Sequence, residues 1–92
     1  MNDIHTTCFD AIAYYGRTSQ VLVAVEELAE LQKALLKNIN RGEDNCAELL
    51  EEMADVRIML EQLQIIYDID PRELDAAIAR KIERLRKRFD LN

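Results

Sequence analysis

Residues 20–39 read QVLVAVEELAELQKALLKNI, and residues 48–66 read ELLEEMADVRIMLEQLQII. In both segments apolar residues recur at intervals of three and four, which is the period of a helix with a buried face. The first segment carries this series at Val21, Val25, Leu28, Leu35 and Ile39, and the second at Leu49, Met53, Val56, Leu60 and Leu63. Both apolar faces are broad, so we predict neighbouring helices on several sides of each.

Turn and cap residues divide the chain into four predicted helices, over about residues 3–15, 18–40, 46–67 and 71–89. The expected N-caps are Thr18 or Ser19 for the second helix, Asp44 or Asn45 for the third, and Asp70 for the fourth. Pro71 then takes the first helical position, where its missing N–H costs nothing. We therefore predict an all-α, four-helix bundle-type fold, with residues 1–92 as a single domain.

Composition narrows the class of protein. No apolar run approaches the roughly 20 residues that span a bilayer, and residues 1–10 lack the basic-then-apolar order of a signal peptide. Cys8 and Cys46 are far apart, which favours reduced thiols in a cytoplasmic protein over a disulfide framework. A single histidine, His5, excludes a histidine-rich zinc site. We expect a cytoplasmic protein that does not enter membranes.

The charge is unevenly distributed along the chain. The net charge is −6, but residues 80–88 hold six basic residues and one acid, +5 net, which leaves −11 for the rest. An acidic body disfavours nucleic acid as a partner, because its phosphates are repelled. The basic segment is either a phosphate-binding strip or a solvated helix end that complements the helix dipole.

Two acid pairs stand out on the middle helices: Glu27 with Glu30, and Glu52 with Asp55. Residues three apart lie on the same side of a helix, so each pair can converge on one point. Two such helices packed antiparallel would place four carboxylates around one cavity. These carboxylates would repel one another unless a cation joins them. Oxygen-only ligands suit a hard ion, Mg²⁺ first and Mn²⁺ as a substitute.

The alternative interpretation is ordinary surface chemistry. A single acid pair on a helix is usually solvated or ion-paired, and Lys33, Lys37 and Arg57 are available as partners. Two pairs on seams that otherwise carry valine, alanine, methionine and isoleucine are harder to explain that way, because unpaired buried carboxylates are costly.

The acid pairs also carry a resemblance to a known family. Residues 26–30 read E-E-x-x-E and residues 52–55 read E-x-x-D, with twenty-one residues between them. This pattern resembles the signature of the MazG-type all-α nucleoside triphosphate pyrophosphohydrolases, a superfamily that includes dimeric dUTPases and phosphoribosyl-ATP pyrophosphohydrolases. The likeness covers about residues 16–89 and is nearest to the short, stand-alone, often phage-associated members.

The resemblance implies a role for each of these residues. The Mg²⁺ ligands would be Glu27, Glu30, Glu52 and Asp55. Glu26 would orient or deprotonate the attacking water, although an exposed acid paired with Lys33 or Arg17 is an equal alternative. Phosphates would be held by four cations: Lys37, Lys81, Arg84 and Arg88. Many relatives have asparagine where this chain has Arg84, which is a departure from the pattern.

The function that the resemblance implies is Mg²⁺-dependent hydrolysis of a nucleoside triphosphate to the monophosphate and pyrophosphate. The expected assembly is a homodimer or homotetramer, because a chain this small cannot cover its own apolar faces. One alternative is a non-enzymatic helical regulatory protein or an inactive relative that keeps the fold. A weaker alternative is an RNA-binding basic helix, which the acidic remainder disfavours.

Overall fold

The computed structural model describes residues 3–89, which form four α-helices and no strand. Helix α1 spans Asp3–Tyr15, α2 Arg17–Arg41, α3 Cys46–Ile66 and α4 Pro71–Phe89. The prediction of an all-α chain with four helices is confirmed. None of the helices in this described range is long and apolar enough to cross a membrane.

The helix ends follow from local chemistry, with one correction. Helix α2 begins at Arg17 after Gly16, whose φ of 96° suits glycine, so Thr18 and Ser19 lie inside the helix and the predicted cap there is wrong. Its C-terminus is closed by Gly42 in the left-handed conformation. At the start of α4, the N–H of Arg72 donates to Asp70 Oδ1 at 2.9 Å, so Asp70 is the cap that was predicted.

Helices α1, α2 and α3 form the packed part of the molecule. Helices α2 and α3 run antiparallel, and near one end Gln20 Nε2 donates to Gln62 Oε1 at 2.7 Å, with both side chains buried. The buried apolar residues are Cys8, Ala24, Ala34, Val56, Met59 and Ile66. Two of these are alanines on α2, which permit close approach of the backbones. The antiparallel arrangement brings the middle of α2 beside the first half of α3.

Helix α1 packs against α3 through a few specific contacts. His5 Nδ1 lies 3.0 Å from Glu61 Oε2, and the Cys8 thiol points at the carbonyl of Ile58 at 3.8 Å. Burial and the charge of Glu61 raise the pKa of Cys8 above its ordinary value. The Cys8 thiol is therefore protonated at neutral pH and is a packing group of the core.

One chain does not cover the broad apolar faces that the sequence showed. Val25 is 58% exposed, Met53 54% and Ile39 75%. Helix α4 buries none of its residues and makes only slight contact with the other helices. The side chains that the periodicity marked as core are thus partly left on the surface.

Candidate metal centre

Three carboxylates from two helices converge at the α2–α3 packing surface. Glu27 comes from α2, and Glu52 and Asp55 come from α3, where their spacing of three places them on one side of the helix. One carboxylate oxygen from each of the three lies within 4.8 Å of the others. We call this group the acid cluster. Glu27 precedes Glu52 by 25 residues in sequence, and the two meet only because α2 and α3 are antiparallel.

Glu30 stands beside the acid cluster without belonging to it. Its side chain is exposed, and its carboxylate is outside the group of three within 4.8 Å. Its charge nevertheless helps to raise the pKa of both Glu27 and Glu52. Three of the four acids expected from the sequence are therefore together, and the fourth is close enough to act on them electrostatically.

The acid cluster carries more negative charge than its surroundings balance. The pKa of Glu27 is raised first by burial and then by the charges of Asp55 and Glu52. The pKa of Glu52 is raised by burial and by Asp55 and Glu30, with Lys37 as a partial counterweight. Within residues 3–89, no member of the cluster is in an ion pair with lysine or arginine. A bound cation would reduce the electrostatic repulsion among these carboxylates.

The donor set decides which cation fits. Only carboxylate oxygens converge here, and no histidine or cysteine of the described chain is among them. Hard divalent ions take such ligands, and Mg²⁺ keeps several waters while using one or two carboxylates. Glu27 and Glu52 are half-buried and Asp55 is exposed, so the cluster opens to solvent on one side. The residues present therefore fit Mg²⁺ or Mn²⁺ at a site that is open to solvent on one side.

A polar network holds α2 and α3 together one helical turn from Glu52. Lys37 Nζ donates to both oxygens of Glu48, at 3.2 and 3.1 Å. Asn45 Nδ2 donates to Glu48 Oε1 at 3.1 Å and to the carbonyl of Ala34 at 3.0 Å. We call Lys37, Asn45 and Glu48 the interhelix clamp. The hydrogen bonds from Asn45 and Lys37 lower the pKa of Glu48, so this carboxylate is held in its charged form.

The clamp changes the interpretation of Lys37. The resemblance gave Lys37 a role in phosphate binding, and the structure places its ammonium on Glu48. Asn45 likewise occupies the N-cap position of α3 but makes no side-chain cap bond, because its Oδ1 accepts from Asn38 Nδ2 of α2 at 3.2 Å. Sequence reasoning missed Asn45 and Glu48 as positioning groups. The available signal was that Glu48 precedes Glu52 by one turn.

The remaining predicted residues lie apart from the acid cluster. Glu26 is exposed, and its charge adds to the raised pKa of Glu27. A shallow depression of about 270 Å³ on α4 is lined by Lys81, Arg84, Leu85 and Arg88. The three cations do share one side of the helix. Within residues 3–89, no hydrogen bond or ion pair joins them to the cluster.

Comparison of the chain with protein-family models, with curated proteins and with solved structures gave no match.

Proposed function

We propose that this protein is a Mg²⁺-dependent nucleoside triphosphate pyrophosphohydrolase that releases pyrophosphate and a nucleoside monophosphate. The observation that carries the proposal is the convergence of Glu27, Glu52 and Asp55 within 4.8 Å, with none of the three in an ion pair to lysine or arginine within residues 3–89. The order and spacing of the two acidic motifs, which resemble those of the MazG-type enzymes, give the reaction class.

Under this proposal the cluster residues act as ligands and orienting groups. Glu27, Glu52 and Asp55 would hold Mg²⁺, with Glu30 joining from the adjacent turn. When bound, Mg²⁺ supplies neutralisation of phosphate charge and polarisation of the phosphate oxygens. Glu26 lies one residue from Glu27 on the exposed side of α2, where its carboxylate can accept a proton from water that attacks the α-phosphorus.

The cations of α4 complete the proposed chemistry. Lys81, Arg84 and Arg88 would stabilise the charge of the pyrophosphate leaving group through charge-assisted hydrogen bonds. Lys37 is held by Glu48 and therefore contributes mainly by keeping that carboxylate out of the cluster. Under this proposal the metal-binding acids lie on α2 and α3, and the phosphate-binding groups lie on α4.

The test is a panel of ribo- and deoxynucleoside triphosphates assayed for pyrophosphate with Mg²⁺, with Mn²⁺ and with EDTA. We expect metal-dependent release of pyrophosphate in equal amount to the nucleoside monophosphate. Formation of diphosphate and orthophosphate would indicate a different phosphatase. Absence of any metal-dependent product across the panel would overturn the proposal.

A second candidate function is non-enzymatic binding between helices, as in a small regulatory protein or an inactive relative. The exposed apolar side of α4 favours it, because such a surface is suited to a protein partner. Mg²⁺-dependent thermal stabilisation without turnover would support an inactive relative. If Mg²⁺ produces neither thermal stabilisation nor turnover, the result would support a helical interaction protein without a metal site.

A further inference from the structure

Helix α4 carries a continuous apolar side that its own chain leaves open. The exposed fractions are 38% for Leu74, 50% for Ile78, 47% for Ile82, 48% for Leu85 and 74% for Phe89. These five residues, which we call the α4 stripe, recur at intervals of three and four and so form one line along the helix. Helical apolar lines of this kind are normally buried against another helix.

A groove beside the stripe is also apolar and open. It has a volume of about 420 Å³ and lies between α3 and the beginning of α4. Its apolar lining comprises Leu60, Leu63, Ile69, Leu74 and Ile78. We call it the α3–α4 groove. The first two stripe residues line the groove, and the last three extend beyond it toward the end of α4.

The surface area indicates how much covering the chain lacks. A monomeric protein of 10.7 kDa exposes about 5,500 Å². This chain exposes 7393 Å², about 1,900 Å² more. Its radius of gyration is 16.2 Å, where about 12 Å is usual for this length. Two chains that each buried the excess would form an interface of the size of permanent homodimers.

The charge distribution along the chain favours a second copy as the partner and an antiparallel orientation of the two α4 helices. Residues 80–88 have a net charge of +5, whereas residues 61–75 hold five acids and one arginine, −4 net. An antiparallel pair of α4 helices would bring the basic end of each copy to the acidic region of the other. A parallel pair would place like charges side by side, which costs association energy.

We infer that the α4 stripe is the docking surface for a second copy of this chain. The two α4 helices pair antiparallel about a twofold axis near residue 80, so that Ile78 of each copy faces Ile82 of the other. The C-terminal half of each stripe then fills the α3–α4 groove of the opposite copy. Such an exchange is self-complementary, which is the condition for a closed twofold dimer. The inference does not depend on the proposed catalytic activity.

The experiment measures molar mass by light scattering during gel filtration of the full chain at micromolar concentration. We expect the molar mass of wild type to be that of a dimer, twice the 10.7 kDa of one chain, or of an assembly of such dimers. Ile82→Glu, in the stripe, and Leu60→Glu, in the groove, should each weaken association at least tenfold. Ala76→Glu introduces the same charge on the opposite side of α4 and should leave the mass unchanged.

Circular dichroism of each variant separates loss of association from loss of folding, since Ile82 and Leu60 are both about half exposed in the single chain. A folded wild-type monomer would overturn the inference. The inference would also be overturned if Ile82→Glu and Leu60→Glu dimerised as tightly as Ala76→Glu. Raised salt should weaken the wild-type dimer, because the ends of the interface pair opposite charges.

Discussion

Glu52 is the residue at which the chemistry of the acid cluster can be tested most directly. It is half-buried, it lies among Asp55, Glu30 and Glu48, and its pKa is raised by burial and by those charges. A charged carboxylate in this position destabilises the metal-free fold. Once a cation is bound, the same carboxylate stabilises the fold. The two effects have opposite signs, which makes them separable by experiment.

We predict that Glu52→Gln abolishes Mg²⁺-dependent pyrophosphate release without lowering stability in EDTA. Removing one charge relieves repulsion in the cluster, while a neutral amide is a poorer ligand for a hard cation. Thermal melts of wild type and variant, in EDTA and in millimolar Mg²⁺, should therefore converge or cross as metal is added. The matched control is Glu51→Gln, an exposed neighbour outside the cluster. Equal loss of stability with and without metal would remove Glu52 from the site.

The raised pKa of Glu52 also predicts a pH dependence. Because the pKa of Glu52 is raised, the Glu52 carboxyl group of the folded, metal-free protein holds its proton more tightly than the same group does in the unfolded chain. Stability therefore falls as pH rises through the interval between the ordinary and the raised pKa. In EDTA, the advantage of Glu52→Gln should be full at neutral pH and vanish below the ordinary value.

Glu48 provides the control of opposite sign one turn away. Its pKa is lowered by Asn45 and Lys37, so its contribution to stability is present above the ordinary glutamate pKa and is lost as pH falls through the lowered value. Glu48→Gln should lose stability at neutral pH and approach wild type on acidification. Chemical denaturation at a series of pH values measures both variants, and pH profiles of the same sign would contradict the assignment.

At the scale of the helices, the sequence predicted what is local and missed what is not. Gly42 acts through its left-handed backbone conformation and Asp70 through a side-chain bond to Arg72, so the end of α2 and the start of α4 depend on nearby residues alone. The cap predicted at Thr18 or Ser19 was wrong because Gly16, which has a positive φ, takes the cap position two to three residues earlier. The role of Asn45 depends on Ala34 of another helix, which no single-helix pattern contains. Likewise, spacing paired the four acids but could not separate exposed Glu30 from the other three.

The interhelix clamp gives the prediction at this scale. Asn45→Ala removes the hydrogen bonds to Glu48, to the Ala34 carbonyl and from Asn38, and should lower the free energy of unfolding by about 1 kcal/mol or more. No cap bond is lost, because Asn45 makes none to α3. Urea denaturation of Asn45→Ala, Glu48→Gln and the double variant measures their coupling. Exposed Asp44→Ala is the control, expected within about 0.5 kcal/mol of wild type. Fully additive effects would show that the two residues do not act together.

The whole molecule separates its charges into two regions. The acids that converge lie on α2 and α3, whereas the net positive segment, residues 80–88, lies on a helix that buries none of its own residues. The fold of one chain brings three acids together and leaves the cations facing solvent. Metal binding and phosphate binding should therefore respond to different variants.

We predict that Lys81→Ala and Arg84→Ala each weaken nucleotide binding about tenfold, the cost of one charge-assisted hydrogen bond. Both side chains line the same depression on α4, so they can hold one phosphate group together. Helicity and the thermal shift produced by Mg²⁺ alone should stay unchanged, because neither residue contacts the acid cluster. Steady-state kinetics on the best triphosphate of the panel gives KM, and light scattering verifies that the mass is that of wild type.

Arg86→Ala is the matched control, since Arg86 lies on the opposite side of α4 from this pair, where its guanidinium is in an ion pair with Glu83. It removes the same charge from the same helix and should leave KM within about twofold of wild type, as general screening of surface charge would allow. Wild-type kinetic constants in both Lys81→Ala and Arg84→Ala would mean that the basic strip is a solvated helix end. Equal losses in all three variants would indicate long-range attraction of the nucleotide by net charge. Only a loss confined to Lys81 and Arg84, with Mg²⁺ affinity intact, supports a phosphate site on this side of α4.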